Sequence, residues 1–297
     1  NIMKINIEKI KSKKTIQELL EFGIINIDKP SGPTSFDISD FVRKKLELRK
    51  TSHFGTLDPK VTGVLPIALN RACKLTGFFL GENKEYVGIM RLHEEVEIEK
   101  IRETIQKKFS GKIMQRPPVK SRVKRVERER EIMYFEILEK GGDEKDFLFK
   151  TEVQGGTYIR KLIDDLGKEL GIGAHMLELR RVRAGIFQED DENYPAVNLY
   201  DLEKAVKEYR EGNEEKLREM IIPGEIVIEL YPVVNVKKEF VNKLFNGSPL
   251  FVQNLTGKKD IKDGRVCVFS EERLIGIYTT VNSGEVFAKP EFVLQPI

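Results

Sequence analysis

Between His53 and Gly63 the chain cannot run as a regular helix or strand. Gly55 admits positive φ, Pro59 pushes Asp58 out of helical geometry, and Thr62-Gly63 reads as a further turn. An apolar run, Val64-Leu65-Pro66-Ile67-Ala68-Leu69, follows at once. Any fold built on this chain must therefore hold a sharply turned loop against a buried segment. Such a loop is where a scaffold usually displays function, and its carboxylate, Asp58, is the first suspect for chemistry. On residue types alone, Asp58 serves equally well as the cap of an Asp-Pro turn.

The flanking sequence alternates strands and helices without a repeating order. Ile24 to Ile27 reads as a short buried strand, and Thr34-Ser35 with Asp37 caps a helix running to about Leu48. Arg71 to Leu80 reads as helical and Tyr86 to Leu92 as a strand, followed by an amphipathic helix from Ile98 to Phe109 that ends at Gly111. Strands over Ile132 to Leu138 and Phe147 to Val153 flank a Gly141-Gly142-Asp143 turn. A helix then starts near Thr157, places Leu162, Ile163 and Leu166 on one face, and stops at Gly171. This mixture predicts an α+β fold rather than a doubly wound parallel sheet. Two more helices are expected over Leu199 to Tyr209 and Glu214 to Met220. Beyond Pro223-Gly224 come short strands at Ile226 to Leu230, Leu250 to Val252, Arg265 to Phe269, Leu274 to Tyr278 and Phe292 to Leu294. Short strands with Gly and Asn turns suggest a small β-barrel-like module.

At 297 residues the chain exceeds one compact core, so two domains are expected. The net charge of +3 says little about partners, but its distribution says more. From Arg116 to Arg130 there are seven basic residues against Glu127 and Glu129, enough to meet several phosphates or to form a solvated strand face. Two distant cysteines and three scattered histidines give neither a disulfide framework nor ligand spacing, so no metal and no cofactor is expected. With no apolar run near 18 residues and no signal peptide at the start, a soluble intracellular protein with no membrane contact is the expectation.

Four segments, in order, resemble one family. His53-Phe54-Gly55-Thr56-Leu57-Asp58-Pro59-Lys60-Val61-Thr62-Gly63 is similar to the catalytic motif of the TruB-type pseudouridine synthases. So are Gly23-Ile24-Ile25-Asn26-Ile27-Asp28-Lys29-Pro30-Ser31-Gly32, Lys84-Glu85-Tyr86 leading to Arg91-Leu92, and Gly156-Thr157-Tyr158-Ile159-Arg160 with Ile163-Asp164-Asp165-Leu166-Gly167. Within the family the chain most resembles the archaeal dyskerin branch, which supplies the catalytic subunit of box H/ACA ribonucleoproteins. The resemblance implies a catalytic domain over residues 23–230 with a mixed, mainly antiparallel sheet. It also implies an N-terminal extension over 1–22 and an RNA-binding PUA-like domain over 231–297.

The same resemblance assigns roles. Asp58 would react with the uridine, Arg160 would pair with Asp58, and the Tyr86 ring would stack on the flipped base. His53, Tyr158 and Leu179 would line the substrate pocket, and Lys29 and Pro30 would buttress the catalytic loop. The Gly247 turn of the tail would bind RNA, and the charge excess noted above adds Lys120, Arg122, Lys124 and Arg125 as RNA-binding candidates. Without the resemblance, Tyr86 is an ordinary strand aromatic, Arg160 half of a surface ion pair, His53 a loop hydrogen-bonder and Leu179 a buried aliphatic. Phe54 departs from the small polar residue usual at its place, so the loop's packing is expected to differ. Stand-alone tRNA enzymes of the family usually carry a Thr- and Asp-rich insertion after the Arg-Leu pair. Here Arg91-Leu92-His93 runs directly into Glu94-Glu95-Val96. That favours action on rRNA within a particle holding a guide RNA and small protein subunits. The alternatives are a stand-alone enzyme of the tRNA T-loop and a non-catalytic RNA-binding scaffold.

Overall fold

The computed structural model of the chain describes residues 4–119, 124, 126–257 and 261–297. In chain order the elements are helices α1 (Ile7–Ser12) and α2 (Ile16–Glu21), strand β1 (Phe22–Lys29), helix α3 (Ser35–Leu46), and strands β2 (Thr51–His53) and β3 (Thr62–Asn70). A 3-10 turn (Arg71–Leu75) leads into the short helix α4 (Thr76–Phe79), then β4 (Lys84–Leu92), α5 (Ile98–Lys108), β5 (Gly111–Gln115), β6 (Arg128–Lys140) and β7 (Asp146–Val153). Helix α6 (Ile159–Glu169), strands β8 (Ala174–Ala184) and β9 (Phe187–Gln188), and helices α7 (Leu199–Arg210) and α8 (Glu215–Met220) follow. The tail adds β10 (Ile221–Pro223), β11 (Val233–Asn235), α9 (Val241–Phe245), β12 (Leu250–Phe251), β13 (Arg265–Ser270), β14 (Arg273–Ser283) and β15 (Val286–Val293). No helix among the described residues is long and apolar enough to cross a membrane.

The chain divides into two compact units, one of Asn1–Ile24, Leu69–Leu75 and Ile221–Ile297, the other of Ile25–Ala68 and Thr76–Met220. In the second unit the sheet follows the order β1-β3-β8-β4-β7-β6-β5, with β2 on β3 and β9 on β8. From β8 to β5, and between β8 and β9, pairing is antiparallel, and β3 meets β8 in a short parallel contact. The fold is thus α+β with a mainly antiparallel sheet, as expected. α3 begins where Thr34 and Asp37 form a reciprocal capping box, and α6 buries Leu162, Ile163 and Leu166 before Gly171 turns the chain at φ 75°.

The central strand β8 was not legible as a strand, because Glu178-Leu179-Arg180-Arg181-Val182-Arg183 lacks an apolar alternation. Two of its arginines are neutralised in place. Arg180 holds both carboxylate oxygens of Asp28 at 3.0 Å, and Arg183 pairs with Glu85 and Glu152. Strand β4 fits between β8 and β7 because Gly88 carries no side chain. A Cβ there would sit 2.6 Å from the Phe149 ring and 2.7 Å from the Glu178 carbonyl.

In the first unit a small sheet runs β11-β13-β14-β15-β12 around a core of Val234, Leu244, Leu250, Val266, Val268, Ile275, Tyr278 and Phe287. The strand expected over Ile226 to Leu230 is instead a 3-10 helix, Gly224–Glu229, entered from Pro223 and burying Glu225 and Val227. Glu225 is tied to Lys14 at 2.6 Å, an ion pair that a strand's alternation gives no reason to expect. Gly247 sits at φ 86° between α9 and β12, matching the expected helix end, turn and entering strand.

Candidate active site

The loop after β2 is pinned by its backbone at successive points. Arg181 Nη2 donates to the Gly55 carbonyl at 3.1 Å. The Ser35 hydroxyl both donates to the Leu57 carbonyl (2.9 Å) and accepts from the Leu57 N–H (2.8 Å). Lys29 Nζ donates to the carbonyls of Pro30, Pro59 and Val61, each at 2.8 Å. Gly63 closes the loop at φ 113°, so near Arg181 that a Cβ would lie 2.1 Å from that residue's carbonyl oxygen. Only glycine serves there. Three anchors from three elements thus fix the main chain around Asp58 and leave its side chain 62% exposed at the apex.

Arg160, the second residue of α6, meets Asp58 there, its Nε 3.3 Å from Oδ2. Tyr86 is 8% exposed on β4 and lies directly opposite Arg181 of β8, and Leu179, also 8% exposed, lies opposite Gly88. His53, the last residue of β2, has its pKa lowered by burial, with the Arg181 charge acting in the same direction. Its Nδ1 is buried without a hydrogen-bond partner among the described residues. Tyr158 is the N-cap of α6, and Pro30 follows Lys29 at the foot of the loop. Lys124 is exposed, whereas Lys120, Arg122 and Arg125 lie outside the described residues. Phe54 is accommodated by a ring cluster, stacking on Phe79 (4.9 Å between centroids) and meeting Phe187 at 5.9 Å.

Two buried cations under the loop were missed by sequence reasoning. Arg181 is 1% exposed, donates to Val64 and Gly55, and is held by the Tyr86 hydroxyl; desolvation lowers its pKa. No carboxylate pairs with it among the described residues. Lys84 is buried beside it and donates to the carbonyls of Leu80 and Glu82, and desolvation lowers its pKa to about 8. A buried Lys or Arg bonded to carbonyls has no sequence signature, since the same letters on a strand read as surface charge.

Residues 43–159 match the N-terminal domain of the TruB family pseudouridylate synthases, and residues 160–229 match the tRNA pseudouridylate synthase B C-terminal domain. The chain is 44% identical over 282 residues to a probable tRNA pseudouridine synthase B of Thermococcus onnurineus, covering 93% of this chain and 83% of that protein. It is 45% identical over 244 residues to the protein of the same name in Methanocaldococcus jannaschii, with coverage of 82% and 70%. Among solved structures it is similar to one titled "Crystal Structure of a Cbf5-Nop10-Gar1 Complex", with TM-score 0.87, 38% identity and coverage of 96% and 89%. Another, titled "Structure of H/ACA RNP bound to a substrate RNA containing 2'-deoxyuridine", has TM-score 0.84, 36% identity and coverage of 96% and 89%. The chain belongs to the TruB family of pseudouridine synthases. It is an isomerase, converting uridine to pseudouridine in RNA.

Proposed function

We propose that this enzyme acts on uridines presented by a guide RNA within a box H/ACA-type particle, with Asp58 as its reacting group. The observation that carries the site assignment is the loop itself: its backbone is anchored on both sides of Asp58 while the carboxylate stays open beside Arg160. A planar, permanently charged guanidinium suits the task of orienting one carboxylate. The target uridine must leave its stack, which costs a few kcal/mol. The Tyr86 ring recovers part of that by stacking, with Leu179, His53 and Tyr158 lining the pocket. Asp58 then starts cleavage of the glycosidic bond, the base turns, and C5 joins the sugar. C5 gives up a proton and N1 takes one, so the atoms balance. Lys29 and Pro30 support the loop, and Lys120, Arg122, Lys124, Arg125 and the turn at Gly247 grip phosphates.

Guide dependence is supported by the short passage from β4 to α5. β4 ends at Leu92 and α5 begins at Ile98. Between them the chain is held down, with the Leu92 N–H on the Lys145 carbonyl, the His93 N–H on the Gly173 carbonyl, and the two imidazoles of His93 and His175 3.0 Å apart. It offers little surface for gripping a substrate unaided. The likeness to structures of H/ACA complexes supports the same reading. The printed names of the relatives favour a stand-alone enzyme on tRNA.

Two experiments decide. Asp58→Asn removes the charge and little volume, so pseudouridine formation is expected to vanish while RNA affinity stays within about twofold; turnover within tenfold of the wild type would sink the assignment. Pseudouridine is also measured on a T-loop hairpin with the chain alone and on a designed target with guide RNA and partner proteins. Fast modification of the hairpin together with no guided activity would restore the tRNA enzyme.

A further inference from the structure

The helix that carries Arg160 has no cap of its own. Its N-cap residue, Tyr158, makes no side-chain capping bond, and the neighbouring Thr157 hydroxyl oxygen is buried without a partner among the described residues. Orphan N–H groups at such an end are ordinarily met by a local Ser, Thr, Asp or Asn. Here the partner comes from another element. Gln115, the last residue of β5 and 3% exposed, accepts from the Tyr158 N–H at 2.9 Å and donates from Nε2 to the Tyr158 carbonyl at 3.1 Å. One side-chain amide thus pairs with Tyr158 as a neighbouring strand would. The other arm of the same hairpin does the reverse. The Glu131 N–H of β6 donates to Gln154 Oε1 at 2.9 Å, and the Gln154 N–H donates to the Glu131 carbonyl at 2.8 Å. Both arms of the β5–β6 hairpin are therefore locked onto residues 154–158, immediately before Arg160. In the sequence, the basic stretch from Arg116 to Arg130 follows Gln115 directly and ends in β6.

We infer that Gln115 is a positioning residue for Arg160, and that through it the β5–β6 hairpin sets the Arg160–Asp58 contact. The inference rests on the reading of Arg160 as the group that orients Asp58. That contact needs such help. Both side chains are more than half exposed, so nothing at the pair itself restrains it, and its geometry depends on where the first turn of α6 lies. A hairpin engaged on RNA holds that turn in place, and a hairpin that shifts carries Tyr158 and the following turn with it. Catalytic geometry and grip on the substrate then share one mechanical link, built from two glutamines.

The test is a double-mutant cycle on whichever of the two RNAs the chain modifies, using full-length protein and, for the guided target, its assembled particle. Gln115→Met keeps the volume and removes both hydrogen-bonding groups. Its single-turnover rate constant is expected to fall at least tenfold with RNA affinity unchanged within twofold. Placed on Arg160→Ala, the same substitution is expected to cost less than a further twofold, because the residue it acts through is gone. Gln115→Glu, which keeps the acceptor for the Tyr158 N–H, should recover part of the loss. A rate within threefold of the wild type, or the full tenfold drop on the Arg160→Ala background, would overturn the inference. So would a loss explained by weaker RNA binding. Should Gln115→Met fail to fold, Gln154→Met at the half-buried companion contact is read by the same criteria. Arg160→Ala alone tests the underlying reading: if it is as active as the wild type, that reading falls and takes the inference with it. A low Arg160→Ala rate with additive Gln115→Met overturns the inference alone.

Discussion

At the scale of single residues, the cations beneath the loop carry the sharpest consequences. Lys29 is fully buried and its ammonium is saturated by three carbonyls. Lys29→Met leaves the Pro30 and Val61 carbonyls without that donor, while Pro59 keeps the Gly32 N–H, and at 1–3 kcal/mol for each unsatisfied group the expected loss is about 2 kcal/mol or more. Urea unfolding of the two proteins measures it, and a loss below about 1 kcal/mol would mean that water replaces the amine. Lys84 makes stability depend on pH. Its folded pKa is about 8 against 10.5 for an unperturbed lysine, so between those values the unfolded chain binds more protons. Stability from this group therefore rises as pH climbs from about 8 to 10.5, by at most about 3 kcal/mol at 1.36 kcal/mol per pH unit. Lys84→Met should flatten that rise, as unfolding midpoints at pH 8 and pH 10 in both proteins will show. Asp58, Tyr86 and Arg160 take roles from the motifs they stand in, whereas Lys84, although it stands beside Tyr86 in one of them, takes none, and neither do Arg181 and Gln115. What distinguishes the second group is only that their polar atoms meet main-chain groups, and main-chain position is what a sequence does not spell out.

At the scale of elements, legibility followed how local the determining contacts are. α3 announced itself because Thr34 and Asp37 cap it from within, and β4 because Tyr86 to Leu92 is a plain strand run. β8 was hidden because, apart from Glu189 just after β9, the partners that neutralise Arg180 and Arg183 come from β1, β4 and β7, far away in the chain. The stretch Ile226 to Leu230 misled for the related reason that its apolar residues are buried by a 3-10 helix rather than by a strand. The fit of β4 between its neighbours yields a prediction of its own. Gly88→Ala inserts a methyl group where Phe149 and the Glu178 backbone already stand, and should cost about 1–3 kcal/mol by overpacking. It should also disturb the Tyr86–Arg181 pairing two register steps away. Calorimetry reads the first effect and pseudouridine yield the second, and an unchanged melting temperature would show that the strands separate freely.

At the scale of the whole molecule, the discontinuous first unit changes how RNA binding by the tail is best tested. α1, α2 and the Arg71–Leu75 turn share that unit with residues 221–297, and Arg71 donates to the Gln295 carbonyl at 2.9 Å while Lys13 pairs with Glu272. Deleting the tail strips those partners, so weak RNA binding by a truncated chain would not separate lost contacts from lost structure. A surface charge reversal does. Lys243 is exposed near the Gly247 turn, and Lys243→Glu is expected to weaken RNA binding and reduce the salt slope by about 1 if it meets a phosphate. An unchanged slope in a folded variant would leave the module a covering role only. The discontinuity was not legible because the chain's composition changes once, near Pro223-Gly224, while its packing unites both ends.

That union also sets an order in time. Phe22 stacks on Phe292 at 6.3 Å between centroids, and Lys14 reaches Glu225. Helices α1 and α2, once synthesised, cannot bury their apolar faces until residues made roughly 200 positions later have followed, a wait of about 10–40 s at ordinary rates of synthesis. For that interval Leu19, Leu20 and Phe22, all buried at the end, are bare. The unit that closes last is then the one a nascent chain must shield longest, and its N-terminal helices are the natural place for a chaperone to hold.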